Sequence, residues 1–204
     1  MVHDGLLSIL CADTWILDSM GAFQITFHTD GTGEVTCRGL LLPAEMRLTE
    51  TQLVCRAELL VWIAAEFDWK PTSAESPKTS DATHDGFDKP NPVDQADIEL
   101  TLTKRRIPGD AGFERYRINE ALLTDDAFLP KTYLISLERG VFLAPFDAQA
   151  TDNHHPYTAR FAYRLSFDKS PYPPREEWRE PEGAPDAIRF WEWKQFCGGQ
   201  IGSF

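Results

Sequence analysis

From Tyr157 to Phe167 the chain alternates without a break. Tyr157, Ala159, Phe161, Tyr163, Leu165 and Phe167 fall on one side, and Thr158, Arg160, Ala162, Arg164 and Ser166 on the other. Successive side chains of an extended strand point to opposite faces, so this pattern describes a strand with one buried face and not an amphipathic helix. The same period returns at Phe23, Ile25 and Phe27, at Val35 and Cys37, at Ile98, Leu100 and Leu102, at Tyr116 and Ile118, and at Tyr133, Ile135 and Leu137. Trp15 and Leu17 begin a short first strand, and Glu58–Lys70 fits either period. A helix there would group Leu59, Leu60, Ile63 and Phe67, whereas a strand aligns Val61, Ile63, Ala65, Phe67 and Trp69. The β-branched and aromatic content favours the strand.

The breaks between these runs carry turn chemistry. Asp30-Gly31-Thr32-Gly33 joins two alternating runs as a hairpin, because a positive φ costs glycine little. Ile107-Pro108-Gly109-Asp110 closes a second hairpin, and Arg139-Gly140 turns the chain into Val141–Leu143. The proline-rich SPYPPREEW ends the strand at Phe167. Ile188–Phe196, IRFWEWKQF, reads as a last aromatic strand before a loose glycine-rich tail. Gly39–Cys55 reads as a loop with one short strand at Gln52–Cys55, and Leu6–Leu10 as an apolar lead-in helix or turn that plugs one end of the core. Strands follow one another with no βαβ alternation, which points to an all-β antiparallel barrel or sandwich of about eight to ten strands.

Composition bounds what such a domain does. At 204 residues the chain suits one domain, residues 1–204, and 42% hydrophobic with 12% aromatic residues supplies a core. Pro71–Ala96 departs from this, being rich in Pro, Ser, Thr and Asp, and reads as a disordered, flexible insertion. A net charge of −12 disfavours nucleic acid, whose phosphates need clustered Lys and Arg, and anionic membrane surfaces as well. No apolar run is long enough for membrane insertion. MVHDGLLSILCADTW places Asp4 where a secretory signal carries positive charge, so a soluble cytoplasmic protein is expected. Cys11, Cys37, Cys55 and Cys197 show no CxxC spacing and read as free thiols; Cys11 with Cys37, or Cys55 with Cys197, would pair only in an oxidising compartment.

The start of the chain resembles the calycin superfamily of lipocalin-like barrels. Those open with a short helix and a Gly-x-Trp whose Trp packs over the closed end of the barrel. Asp13-Thr14-Trp15 occupies that place, with the tryptophan present and the glycine absent. FQITFHTDGTGEV is similar to the second and third strands of such domains, so the resemblance covers about Leu6–Arg38. It implies a barrel that holds one small, mostly apolar ligand, and a late arginine on the Trp, either Arg160 or Arg164.

Two chemistries follow. For binding of a small apolar or amphipathic molecule, the lining would come from Phe23, Phe27, Trp62, Tyr116, Tyr133, Phe161, Tyr163 and Trp191. For a cofactor-free isomerase or cyclase, Glu66 and Asp68 at alternate strand positions would supply acid and base, and Arg160 with Arg164 would clamp a carboxylate or enolate. The bland alternative for all four charged residues is a solvated outer face with surface ion pairs. No cofactor is expected, since no phosphate loop, dinucleotide fingerprint or nucleophile elbow occurs. No metal is expected either: adjacent His154 and His155 cannot easily share an ion, and Asp30–Glu34 lacks the spacing of a calcium loop.

Overall fold

A computed structural model describes residues 3–40, 59–72, 90–105, 122–149, 158–182, 185–186 and 189–203. Among them eight strands follow in chain order: β1 (Thr14–Ile16), β2 (Phe23–Phe27), β3 (Thr32–Leu40), β4 (Leu59–Pro71), β5 (Asn91–Leu102), β6 (Lys131–Phe142), β7 (Ala159–Phe167) and β8 (Gln195–Ser203). Each pairs antiparallel with the next, and Ile16 opposite Cys197 closes β8 onto β1, so the sheet forms a barrel. Closure leaves no free sheet edge around most of the ring, which is how an all-antiparallel sheet avoids exposed ladder groups.

In an up-and-down barrel the connections alternate between ends. The β2–β3, β4–β5 and β6–β7 connections share one end, here termed the lower, with the helix α1 (His3–Leu10) that leads into β1. The β1–β2, β3–β4, β5–β6 and β7–β8 connections share the upper end. At the lower end Leu6 and Leu10, one helical turn apart, are buried in the core with Trp15. The Trp15 indole donates Nε1–H to the Leu10 carbonyl at 2.9 Å, satisfying a carbonyl that the end of the helix would leave unpaired. The apolar lead-in expected at Leu6–Leu10 is therefore a helix, and it plugs the core.

The alternation places the core. Ile25 and Phe27, Val35 and Cys37, Ala65, Phe67 and Trp69, and Ile98, Leu100 and Leu102 are all buried inside the ring, and the run that fits either period is resolved in favour of strand, from Leu59 on. Four expectations need correction. β5 begins at Asn91, inside the stretch read as insertion, and pairs with β6 from Arg139 onward. Pro92 is tolerated because β4 ends opposite Ile98, leaving this part of β5 paired on one side, with a bulge between Pro92 and Asp94. Arg139-Gly140 is not a turn: β6 runs through it to Phe142, and its pairing with β7 slips between Arg139 and Phe142. A Cβ on Gly140 would stand 2.9 Å from the Phe142 ring, so the glycine makes room for that ring.

The third and fourth corrections concern the C-terminal segment. Phe190–Glu192 is a turn of 3-10 helix, and the glycine-rich stretch after it is β8, the strand that closes the barrel. A 3-10 turn brings residues three apart together, which sets Phe190 beside Trp193 at 5.7 Å between ring centroids. Gly198 is where Trp15 lies against β8; an added Cβ would meet the indole at 3.0 Å.

Outside the ring, Phe142, Ala144, Phe161 and Cys197 form a second small buried cluster over the β8–β1 seam. β1 is short there, and the amide of Phe146, in the helix Pro145–Gln149, donates to the Leu17 carbonyl at 2.9 Å to extend the pairing. Residues 41–58 and 106–121, and with them the Gln52–Cys55 strand, the second hairpin turn and Tyr116, lie outside the described residues, as do His154 and His155.

Candidate functional site

The upper end is built around two polar anchors and a group of rings. Asp18 is buried, and its carboxylate accepts from the backbone N–H of Met20 (2.9 Å), Ala22 (3.1 Å) and Phe23 (3.0 Å). Three donors on one carboxylate fix the β1–β2 loop and so aim Phe23. The Ser19 amide extends this network to the Asp147 carboxylate at 3.1 Å. Phe23 meets Trp193 edge-on at 4.6 Å and Phe146 at 6.3 Å.

Tyr172 comes from the connection between β7 and β8, yet its hydroxyl donates to the Thr36 carbonyl of β3 at 3.2 Å. β3 is paired with neither β7 nor β8, so this bond ties the connection to a part of the ring that the two strands it joins do not touch. Tyr172 is fully buried, with Phe190 at 5.8 Å, Trp193 at 6.1 Å and Phe196 at 6.3 Å. Trp178 stacks on Phe190 at 5.5 Å, and its indole donates to the Pro173 carbonyl at 3.1 Å. Ser170 Oγ donates to the Phe190 carbonyl and accepts the Tyr172 amide. Lys131 pairs with the buried Glu177 at 2.5 Å, tying this connection to the start of β6.

The residues singled out for catalysis lie elsewhere. Glu66 and Asp68 alternate with the inward Ala65, Phe67 and Trp69 and stand on the outer wall, where Arg105 bridges both carboxylates. Arg164 pairs with Glu138 at 2.7 Å and lies over Phe142, not Trp15. Arg160, opposite Gly202 at the lower end of β7, is half-buried, and its Nη1 is buried with no hydrogen-bond partner among the described residues.

The residues singled out for a lining are spread along the barrel. Phe27 packs at the lower end against Phe67 and Trp69, each at 5.3 Å, while Phe23 is at the upper end. Tyr133 is buried against Phe167 at 6.0 Å, with the Lys169 ammonium 4.9 Å from its ring. Tyr163 is half-buried against the core opposite Gly198, and Trp191 is half-buried in the 3-10 turn. Phe161 belongs to the seam cluster. Trp62 lies on β4, and its side chain is outside the described residues.

Sequence reasoning did not single out Tyr172, Phe190, Phe196, Asp18 or Thr36. The signal for Tyr172 was a lone aromatic held between Pro171 and Pro173.

Burial governs ionisation here. It pushes the Tyr172 and Tyr133 phenols and the Cys37 thiol above their ordinary values, and the Cys197 thiol up to about 12. Cys11, Cys37 and Cys197 are free thiols. Each raised group keeps its proton in the folded state after the unfolded chain has lost it. Stability is therefore full below the unfolded thiol pKa of about 8.5 and falls as pH climbs past that and past about 10 for phenols. Urea midpoints followed by circular dichroism from neutral to strongly alkaline pH should hold level and then decline in that order; a midpoint that stays level throughout would contradict this burial.

Among the described residues no group of three or more His, Cys, Asp or Glu is placed to hold a metal, and no helix is long and apolar enough to cross a membrane. No family model, no curated protein and no solved structure matches the chain.

Proposed function

We propose that this is a lipocalin-like barrel that binds one small apolar or amphipathic molecule at the upper end of its bore. The reading rests chiefly on one observation: an eight-stranded up-and-down barrel, plugged below by α1 and Trp15, carries a group of aromatic rings at its other end. Mouths of small barrels are a recurring place for apolar ligands, with a few polar groups setting orientation. Phe23, Trp193 and Phe190 supply the apolar surface, and the Thr36 carbonyl is a polar group at that end. The candidate acids Glu66 and Asp68 are tied to Arg105 on the outer wall, so binding stands without proton transfer by that pair.

Tryptophan emission provides the test, because Trp193 and Trp178 are part of the ring group. Titration with laurate, 2-naphthol and a sterol should give saturable quenching with at least one of them, and native mass spectrometry of freshly purified protein should show a co-purified small mass. No saturation with any probe, together with a bare protein mass, would count against binding.

A further inference from the structure

Tyr172 sits in the barrel as a ligand would. Its ring is flanked by three aromatics, with Phe190 and Phe196 tilted at 34° and Trp193 edge-on at 89°, and its one polar side-chain atom meets one acceptor on β3. The edge-on contact with Trp193 is one of the arrangements aromatic rings prefer, so the surround suits a planar ring. Thr36 O accepts, which calls for a donor on that ring. The β3–β4 register shifts one residue further on, between Cys37 and Arg38, a break of the kind common beside binding sites.

The Tyr172 segment is also anchored by bonds that are not part of the barrel ladder, so displacing it need not open the sheet. Of Ser170–Pro174, three residues are prolines and offer no N–H. Among the described residues this stretch is held by four bonds that involve a side chain, Tyr172 Oη to Thr36 O, Ser170 Oγ to Phe190 O at 2.9 Å, the Tyr172 amide to Ser170 Oγ, and Trp178 Nε1 to Pro173 O, and by the Glu177 amide on the Pro174 carbonyl at 3.0 Å. None is a rung of the barrel ladder.

We infer that Tyr172 is a resident stand-in for the ligand, and that the ligand class is an aromatic ring carrying one hydrogen-bond donor, a phenol or arylamine, which takes the place of the Tyr172 ring and its bond to Thr36. This rests on the binding reading above and narrows it. Tyr172→Phe keeps the ring and the packing but removes the competing hydroxyl.

Isothermal titration calorimetry on the wild type and Tyr172→Phe, with 2-naphthol, 2-methoxynaphthalene and laurate, separates the possibilities. The wild type should bind 2-naphthol about two- to tenfold more tightly than the methyl ether, the value of one buried neutral hydrogen bond. Tyr172→Phe should keep that preference and bind 2-naphthol about two- to tenfold more tightly than the wild type. A Tyr172 that is only core would lower stability in the variant and leave 2-naphthol affinity unchanged, which overturns the inference. Laurate binding with no preference for 2-naphthol over its ether overturns the ligand class and leaves the barrel a binder. If none of the three binds either protein, while circular dichroism shows both folded, the inference and the binding reading fall together.

Discussion

Trp15→Ala is expected to destabilise the barrel by about 3 to 5 kcal/mol, the range for removing a large buried aromatic. For a domain of this size that corresponds to a fall in melting temperature of roughly 6 to 20 °C. Two losses combine. The indole is fully buried, and it lies against Gly198, which has no side chain to fill the space. The Leu10 carbonyl at the end of α1 loses its donor as well, and a backbone acceptor left without a partner in a buried place carries its own cost. Trp15→Phe tells the two apart: it restores much of the ring but not the N–H, and should recover most of the loss. Thermal unfolding by circular dichroism reads both variants. A Trp15→Ala protein that melts with the wild type would mean α1 and Trp15 do not close the core as described.

The same tryptophan was legible in the sequence, and the reason shows where legibility stops. Alternation is a local signal, so β2, β3 and β7 could be placed from apolar spacing alone, and the inward face of β4 with them. β8 could not. Its GGQIGS has no alternation because what it must accommodate lies on the strand beside it in the ring: Gly198 makes room for Trp15 of β1, some 180 residues earlier in the chain. Of the apolar run IRFWEWKQF, which reads as the strand, Phe190–Glu192 is a 3-10 turn that delivers Phe190 and Trp193 to the upper end, and only Gln195 and Phe196 belong to β8. The continuation of β6 past Gly140 and of β5 back to Asn91 likewise depends on which neighbour the strand has, and no local pattern records that. The candidate site was less legible still. Phe23 was visible through its alternation with Ile25 and Phe27, but Tyr172 reaches from a proline-rich connection to β3, a contact between residues 136 apart.

Gly33→Ala is expected to cost about 3 kcal/mol, the upper part of the range for overpacking a tight core, and more than Gly31→Ala in the same hairpin. From the sequence both glycines of Asp30-Gly31-Thr32-Gly33 read as turn residues needed for positive φ. Only Gly31 has it, at 86°. Gly33 is already in β3, opposite Phe27 and Phe67. A Cβ there would stand 2.5 Å from the Thr26 carbonyl oxygen and closer still to Phe67 Cζ. Neither can give way. Thr26 is backbone of β2, and Phe67 is fully buried with Phe27 edge-on at 5.3 Å. At Gly31 the nearest atom is the Trp69 carbonyl oxygen at 3.3 Å, so alanine there meets mainly backbone strain, of order 1 kcal/mol. Urea denaturation of the two variants should therefore rank Gly33→Ala below Gly31→Ala. The reverse ranking would mean that turn conformation, and not the Phe67 ring seated on β3, is what requires glycine in this hairpin.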